Sequence, residues 1–192
     1  MEGNDDDQFL EVHANLKAYV EANGDGVTEE SALQAISKVL NDKELAITDL
    51  IEMLEKYLTS SNDQERNRAS LLLADLLDHS ALQLYLPTAA VHLLVVFFCH
   101  RLSDYPSVLP SLKALIALVN QYYSVKSDYR FDLADILQTL FKNVHCPSFA
   151  QNIRQLTYNL IDSILSQSLA RPADQTLKDV VAEVLNGIAC AM

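Results

Sequence analysis

Five histidines and three cysteines are the side chains here with the most obvious capacity for metal chemistry. His92, Cys99 and His100, followed later by His145 and Cys146, offer the imidazole and thiolate groups that zinc and iron take as ligands. Their spacing argues against such a site. His92 and Cys99 are seven residues apart and share one face of a helix, but four convergent ligands at zinc-site spacing are missing and no C-x-x-C occurs. Cys99, Cys146 and Cys190 are an odd set lying in or beside apolar stretches. They are expected to be reduced thiols of an intracellular protein, with no metal and no cofactor.

Asn23-Gly24-Asp25-Gly26 matches the middle of an EF-hand calcium loop. Its charged positions fail: the first would be Glu21, and the twelfth, which requires a bidentate Glu, would be Ala32. An ordinary turn between helices is the expectation, since Asn and Gly suit such turns. The sequence has no G-x-S-x-G, no Gly-rich phosphate loop and no H-E-x-x-H. It therefore predicts a protein without catalytic activity. The carboxylate pairs Asp75/Asp78 and Asp132/Asp135 are expected on solvated helix faces, because Asp is rarely buried. The candidates left for contact with a partner protein are Arg66 and Arg68 at the start of one helix, His100 and Arg101 at the end of another, and Tyr105 just beyond. Arg101 suits a helix C-terminus, whereas Arg66 and Arg68 oppose the dipole at an N-terminus and call for carboxylate partners such as Asp63, Glu65 or an external acid.

The net charge of −12 disfavours direct binding to nucleic acid or anionic membranes. Nine acids stand against the single Lys17 in residues 1–30. The N-terminus lacks the basic and apolar regions of a signal peptide. The strongest apolar run, Leu93 to Phe98, falls far short of the ~20 residues a membrane span needs, so it belongs to a protein core.

Helices must position these residues. Only four Gly and five Pro occur in 192 residues, and 49% of the chain is hydrophobic, which favours long helices around a substantial core. Phe9, Val12, Leu16, Tyr19 and Val20 mark the buried stripe of a first helix. Thr28 caps a second, with Glu29 and Glu30 in its first turn and Leu33, Ile36, Val39 and Leu40 as its stripe. Periodicity then predicts helices near 47–60, 64–79, 88–102, 106–123, 129–143, 147–168 and 173–189. Connectors this short make neighbours antiparallel, and Pro106 and Pro147 suit helix starts.

The helix pairs repeat with a step of 41 residues. Leu54, Val95 and Ile136 correspond, as do Leu58, Cys99 and Leu140 in the first helices. In the second helices Leu71, Leu112 and Ile153 correspond, and so do Ala74, Leu115 and Leu156. Pro106-Ser107-Val108 likewise mirrors Pro147-Ser148-Phe149. Two-helix units of this length are HEAT or armadillo repeats, which bury a continuous core only when stacked. The expected fold is thus all-α, an α-solenoid of antiparallel helix pairs with a period of about 41 residues. Residues 1–46 form an acidic helix pair ahead of HEAT-like repeats over 47–192. The sequence ends in apolar material with no polar capping helix, so the solenoid is expected to continue past Met192.

Phe97-Phe-Cys-His-Arg-Leu-Ser-Asp-Tyr-Pro-Ser-Val-Leu-Pro-Ser-Leu-Lys-Ala-Leu115 resembles a particular HEAT-repeat family in its aromatic pair, Arg101-Leu102, Asp104, Pro110 and Leu112-Lys-Ala-Leu115. The likeness continues in Arg66-Asn-Arg-Ala-Ser-Leu-Leu-Leu-Ala74, Leu140-Phe-Lys-Asn-Val-His145 and Thr157-Tyr-Asn-Leu-Ile161, and so spans roughly residues 45–165. The family is the methyl-methanesulfonate-sensitivity scaffold of the cytosolic iron–sulfur assembly targeting complex, also linked to nucleotide excision repair and transcription; the likeness is to its N-terminal region. The resemblance implies a cytoplasmic and nuclear adaptor that assists delivery of iron–sulfur clusters to client apoproteins, DNA repair and replication enzymes among them. Its partners would be targeting-complex components and those clients. The repeat by itself also suits a generic HEAT or armadillo module of a transport or signalling protein.

Overall fold

Leu-rich, glycine-poor segments separated by short polar connectors fold into helices throughout the computed structural model, which describes residues 3–21, 26–43, 45–78, 86–123, 132–170 and 175–191. In chain order they are α1 (Gly3–Glu21), α2 (Gly26–Asn41), α3 (Ile47–Leu58), α4 (Asp63–Asp78), α5 (Thr88–Arg101), α6 (Val108–Tyr122), α7 (Leu133–Asn143), α8 (Gln151–Leu169) and α9 (Gln175–Ala191). Short 3-10 turns at Tyr105–Ser107 and Cys146–Ser148 precede α6 and α8. No strand occurs among the described residues, and the all-α class expected from the sequence is the one observed.

Helix ends follow from local chemistry. The Asn62 side-chain oxygen accepts from the Gln64 N–H at 2.9 Å and caps α4. Asp132 does the same for α7, accepting from Ala134 and Asp135 at 2.9 and 3.2 Å, so it is a cap and not merely a solvated carboxylate. Asp49 reaches back toward the Ala46 N–H at 3.4 Å, but Ala46 has no side-chain acceptor to return the bond, leaving half a capping box. Pro106 lies in the 3-10 turn before α6, where its missing N–H costs nothing. Three expectations need correction. α2 opens at Gly26, so Thr28 lies within its first turn and is not the cap. Phe9 is 48% exposed, because the buried stripe of α1 begins one turn later at Val12. Asp75 is no solvated carboxylate: it accepts the Tyr19 hydroxyl at 2.6 Å, while Asp78 is exposed. The part of the expected 129–143 helix before Asp132 lies outside the described residues.

The chain divides into two units, Met1–Leu86 and Pro87–Met192. In the first, α1 packs on α2 and α4, α3 packs on α4, and α2 touches α4. Leu16, Ile36, Leu50, Leu54, Leu72 and Leu76 are fully buried there. Each such side chain contributes roughly 1.5–3 kcal/mol by leaving water. In the second, α6 lies between α5 and α8, and α9 packs on α7 and α8. Buried hydroxyls cause no loss here: Ser111, Thr157 and Ser168 donate to the carbonyls of Ser107, Ile153 and Ile164, four residues back.

Gly187, in the interior of α9, is explained by close approach. A Cβ there would lie 2.6 Å from the ring carbons of Phe141 on α7. Alanine would gain about 1 kcal/mol of helix propensity, but overpacking costs about 1–3 kcal/mol. Gly187→Ala is expected to lower stability by about 1 kcal/mol net, read as a reduced urea midpoint at unchanged slope. A stabilised variant would show that Phe141 moves aside freely.

Candidate interaction surface

The most extensive helix packing in the second unit is between α6 and α8, whereas α5 and α7 meet over a much shorter stretch. The splay leaves a groove between α5 and α7 with a volume of ≈ 420 Å³. Val95, Val96 and Cys99 of α5 line its apolar part. Asp132 and Asp135 lie at the start of α7, and Lys142 and Asn143 at its end. His92 and His100 line the groove from α5, so His92 and Cys99 do share a helix face as their spacing predicts.

Cys99 is 8% exposed and occupies the core position expected from the repeat. Burial first, and the Asp135 carboxylate second, push its thiol up to about 12. At pH 8 the thiolate is then scarce, and native Cys99 is expected to alkylate roughly a thousandfold more slowly than a free cysteine. Mass spectrometry of iodoacetamide-treated protein, with Cys146 and Cys190 replaced by Ser, would read this directly; rapid labelling without denaturant would contradict it.

The end of α5 and the turn after it carry three of the five candidate contact residues. His100 is exposed, and its carbonyl accepts from the Ser103 hydroxyl at 2.8 Å. Arg101 lies over the Phe97 ring at 5.1 Å and 3.6 Å from Asp104, so a cation complements the helix C-terminus as expected. Asp104 also accepts from the Ser107 hydroxyl at 2.7 Å, tying the corner together. Tyr105 is 67% exposed and stacks on Phe149, with centroids 5.4 Å apart and planes at 16°.

The other two candidates, in the first unit, are turned to internal use. Arg66 pairs with Asp63 at 2.6 Å and donates to the Ser60 carbonyl at 2.8 Å. Arg68, expected as a contact for a partner, is instead committed inside the fold. From α4 its guanidinium donates to the Tyr19 carbonyl at 2.6 Å, sits 2.6 Å from Glu29 Oε1 and lies 4.8 Å over the Tyr19 ring. Although that Glu29 oxygen has no hydrogen bond of good geometry, its short distance makes it an ion pair. Tyr19 is held far above the usual phenol range, chiefly by burial and next by its hydrogen bond to Asp75. Sequence reasoning missed this cluster because its members come from three helices. It also missed the groove, although the 41-residue register expected from the sequence would place His92 level with Leu133, between the two rim carboxylates.

Among the described residues no three His, Cys, Asp or Glu side chains converge on a point that could hold a metal ion. Asn23-Gly24-Asp25 and the side chains of Cys146 and Cys190 lie outside the described residues. Ala32, at the position where a calcium loop needs glutamate, is buried in α2. No described helix is long and apolar enough to cross a membrane.

Residues 51–191 match the family described as Dos2-interacting transcription regulator of RNA-Pol-II. The chain is similar to the MMS19 nucleotide excision repair protein homolog of Arabidopsis thaliana, 29% identical over 153 residues, covering 80% of this chain and 13% of the relative. The Homo sapiens protein of the same name is 27% identical over 163 residues, 83% of this chain and 14% of the relative. The DNA repair/transcription protein mms19 of Schizosaccharomyces pombe is 26% identical over 142 residues, 73% of this chain and 13% of the relative. The chain thus spans a small fraction of the length of the curated relatives it matches. No solved structure matches.

Proposed function

Because the chain belongs to the family of Dos2-interacting transcription regulators of RNA-Pol-II, we propose that it is a non-catalytic, protein-binding scaffold segment that assists delivery of iron–sulfur clusters to cytosolic and nuclear apoproteins, DNA repair and replication enzymes included. The cluster is cargo passed between other proteins; the chain itself takes no cofactor. The relatives' names tie them to nucleotide excision repair and transcription, processes whose enzymes are the clients envisaged here. The scaffold is an α-solenoid of antiparallel helix pairs repeating every 41 residues, with residues 1–46 as an acidic helix pair ahead of HEAT-like repeats over 47–192.

The observation that carries this reading is the recurrence of the register. The starts of α3 and α5, Ile47 and Thr88, lie 41 residues apart, as do the 3-10 turns at Tyr105 and Cys146. The corresponding first-helix residues Leu54, Val95 and Ile136, and Leu58, Cys99 and Leu140, are all buried. Leu71 and Leu156 break the second-helix correspondence by being half-buried. A repeating frame with an open groove and exposed aromatic corner suits protein binding better than chemistry.

Affinity capture of the full-length protein from its own cells, followed by mass spectrometry, tests the proposal. Recovery of iron–sulfur assembly components together with cluster-containing DNA enzymes is expected. Recovery of nuclear-transport or signalling factors in their place would sink the iron–sulfur role and favour a generic solenoid module.

A further inference from the structure

Resting on the scaffold reading, the geometry points to a specific occupant for the α5–α7 groove: an extended segment of a partner protein that carries a basic side chain three residues from an acidic one, with an apolar side chain between them. The groove is electrically bipolar. Asp132 and Asp135 make one end of the α7 wall negative, Lys142 makes the other positive, and Val95, Val96 and Cys99 form an apolar stretch across from them. Neither Asp135 nor Lys142 has an ion-pair partner among the described residues. Val96 is 42% exposed, and Leu93 beside it is 48% exposed, so apolar surface stays in water until something covers it.

The dimensions select the form of the partner. Asp135 and Lys142 are seven residues apart on one helix, about 10 Å at 1.5 Å per residue. An extended chain covers that span in about three residues at roughly 3.3 Å each. The Asn143 amide nitrogen donates to the Thr139 carbonyl at 2.8 Å, which leaves its oxygen available to accept from a peptide N–H. Nucleic acid is a poor match, since its phosphates would meet the two aspartates in a protein of net charge −12.

The test is a titration of the full 15N-labelled chain with acetyl-Arg-Ala-Leu-Glu-amide, with acetyl-Glu-Ala-Leu-Glu-amide as control. The expected result is saturable shifts at the amides of Val96, Asp135 and Lys142 at millimolar peptide, with the control weaker by about fivefold, the value of one exposed ion pair. The Asp135→Lys variant should reverse that preference, and its exposed position keeps the fold intact. Absence of saturable shifts in α5 and α7, equal response to the two peptides, or shifts confined to other helices would overturn the assignment. The outcome is separable from that of affinity capture. Iron–sulfur partners retained by Asp135→Lys, alongside silent peptides, would remove the groove and leave the scaffold. Peptide binding without such partners would do the reverse.

Discussion

Replacing Arg68 with methionine is expected to cost about 3 kcal/mol of unfolding free energy, near the lower bound for breaking a buried ion pair. The lower bound applies because the side chains are 12% and 22% exposed, so some water reaches the pair. Three contacts are lost together. The Tyr19 carbonyl lies in the last turn of α1, where carbonyls lack helical partners and a cation is favoured. Glu29 lies in the first turn of α2 and would keep its charge with little solvent to replace the guanidinium. The face of Tyr19 loses a cation stacked at 4.8 Å. Arg68→Lys should recover little, because a single ammonium cannot reproduce a planar fork that reaches two acceptors over a ring. Arg68→Met combined with Glu29→Gln should recover at least half of the loss by removing the stranded carboxylate. Urea denaturation measures all three variants. Hydrogen exchange should show the loss concentrated in α1 and α2, which Arg68 ties to α4. A change below about 0.5 kcal/mol would mean that water substitutes for the pair.

The same residue marks how far the sequence could be read. Helical class, element positions and most buried stripes follow from periodicity and composition, because a 3.6-residue pattern of Leu, Ile and Val reports its own face. Phe9 failed since periodicity gives a direction but not how far along the helix a neighbour extends. Arg66 was legible in part: the basic side chain at a helix start needed a carboxylate, and Asp63 three residues earlier supplies it. Arg68 was not legible, since its partners Tyr19 and Glu29 are distant in sequence and become neighbours only when α1 and α2 fold onto α4. Those two helices also lie ahead of the family-matched residues 51–191. The charged ends of the groove are read only after the helices are placed. Asp132 and Asp135 looked like ordinary solvated carboxylates until the splay of α5 from α7 set them opposite Val95, Val96 and Cys99.

Phe98→Ala should be the most damaging single truncation in the second unit, at about 4 kcal/mol. Phe98 is fully buried, so its removal forfeits the transfer free energy of a whole ring and leaves a cavity that α5 and α6, packed together, can close only in part. Its neighbour provides the control. Phe97 meets the Phe98 ring edge-on at 5.1 Å, yet it is half-buried and carries Arg101 on its other contact. Phe97→Ala should therefore cost about 1–2 kcal/mol, the sum of a partial burial loss and a partly solvated cation contact. The two substitutions also separate core from surface in function. Loss of Phe98 loosens the helix that carries Val95, Val96 and Cys99, so peptide response in the groove and protection of the α5 amides should fall together. Loss of Phe97 removes one contact of Arg101, which keeps Asp104, and should leave groove binding within about twofold of the parent protein. Equal destabilisation by the two variants in urea would mean that the α5 core relaxes around the missing ring, and that the groove is softer than its packing implies.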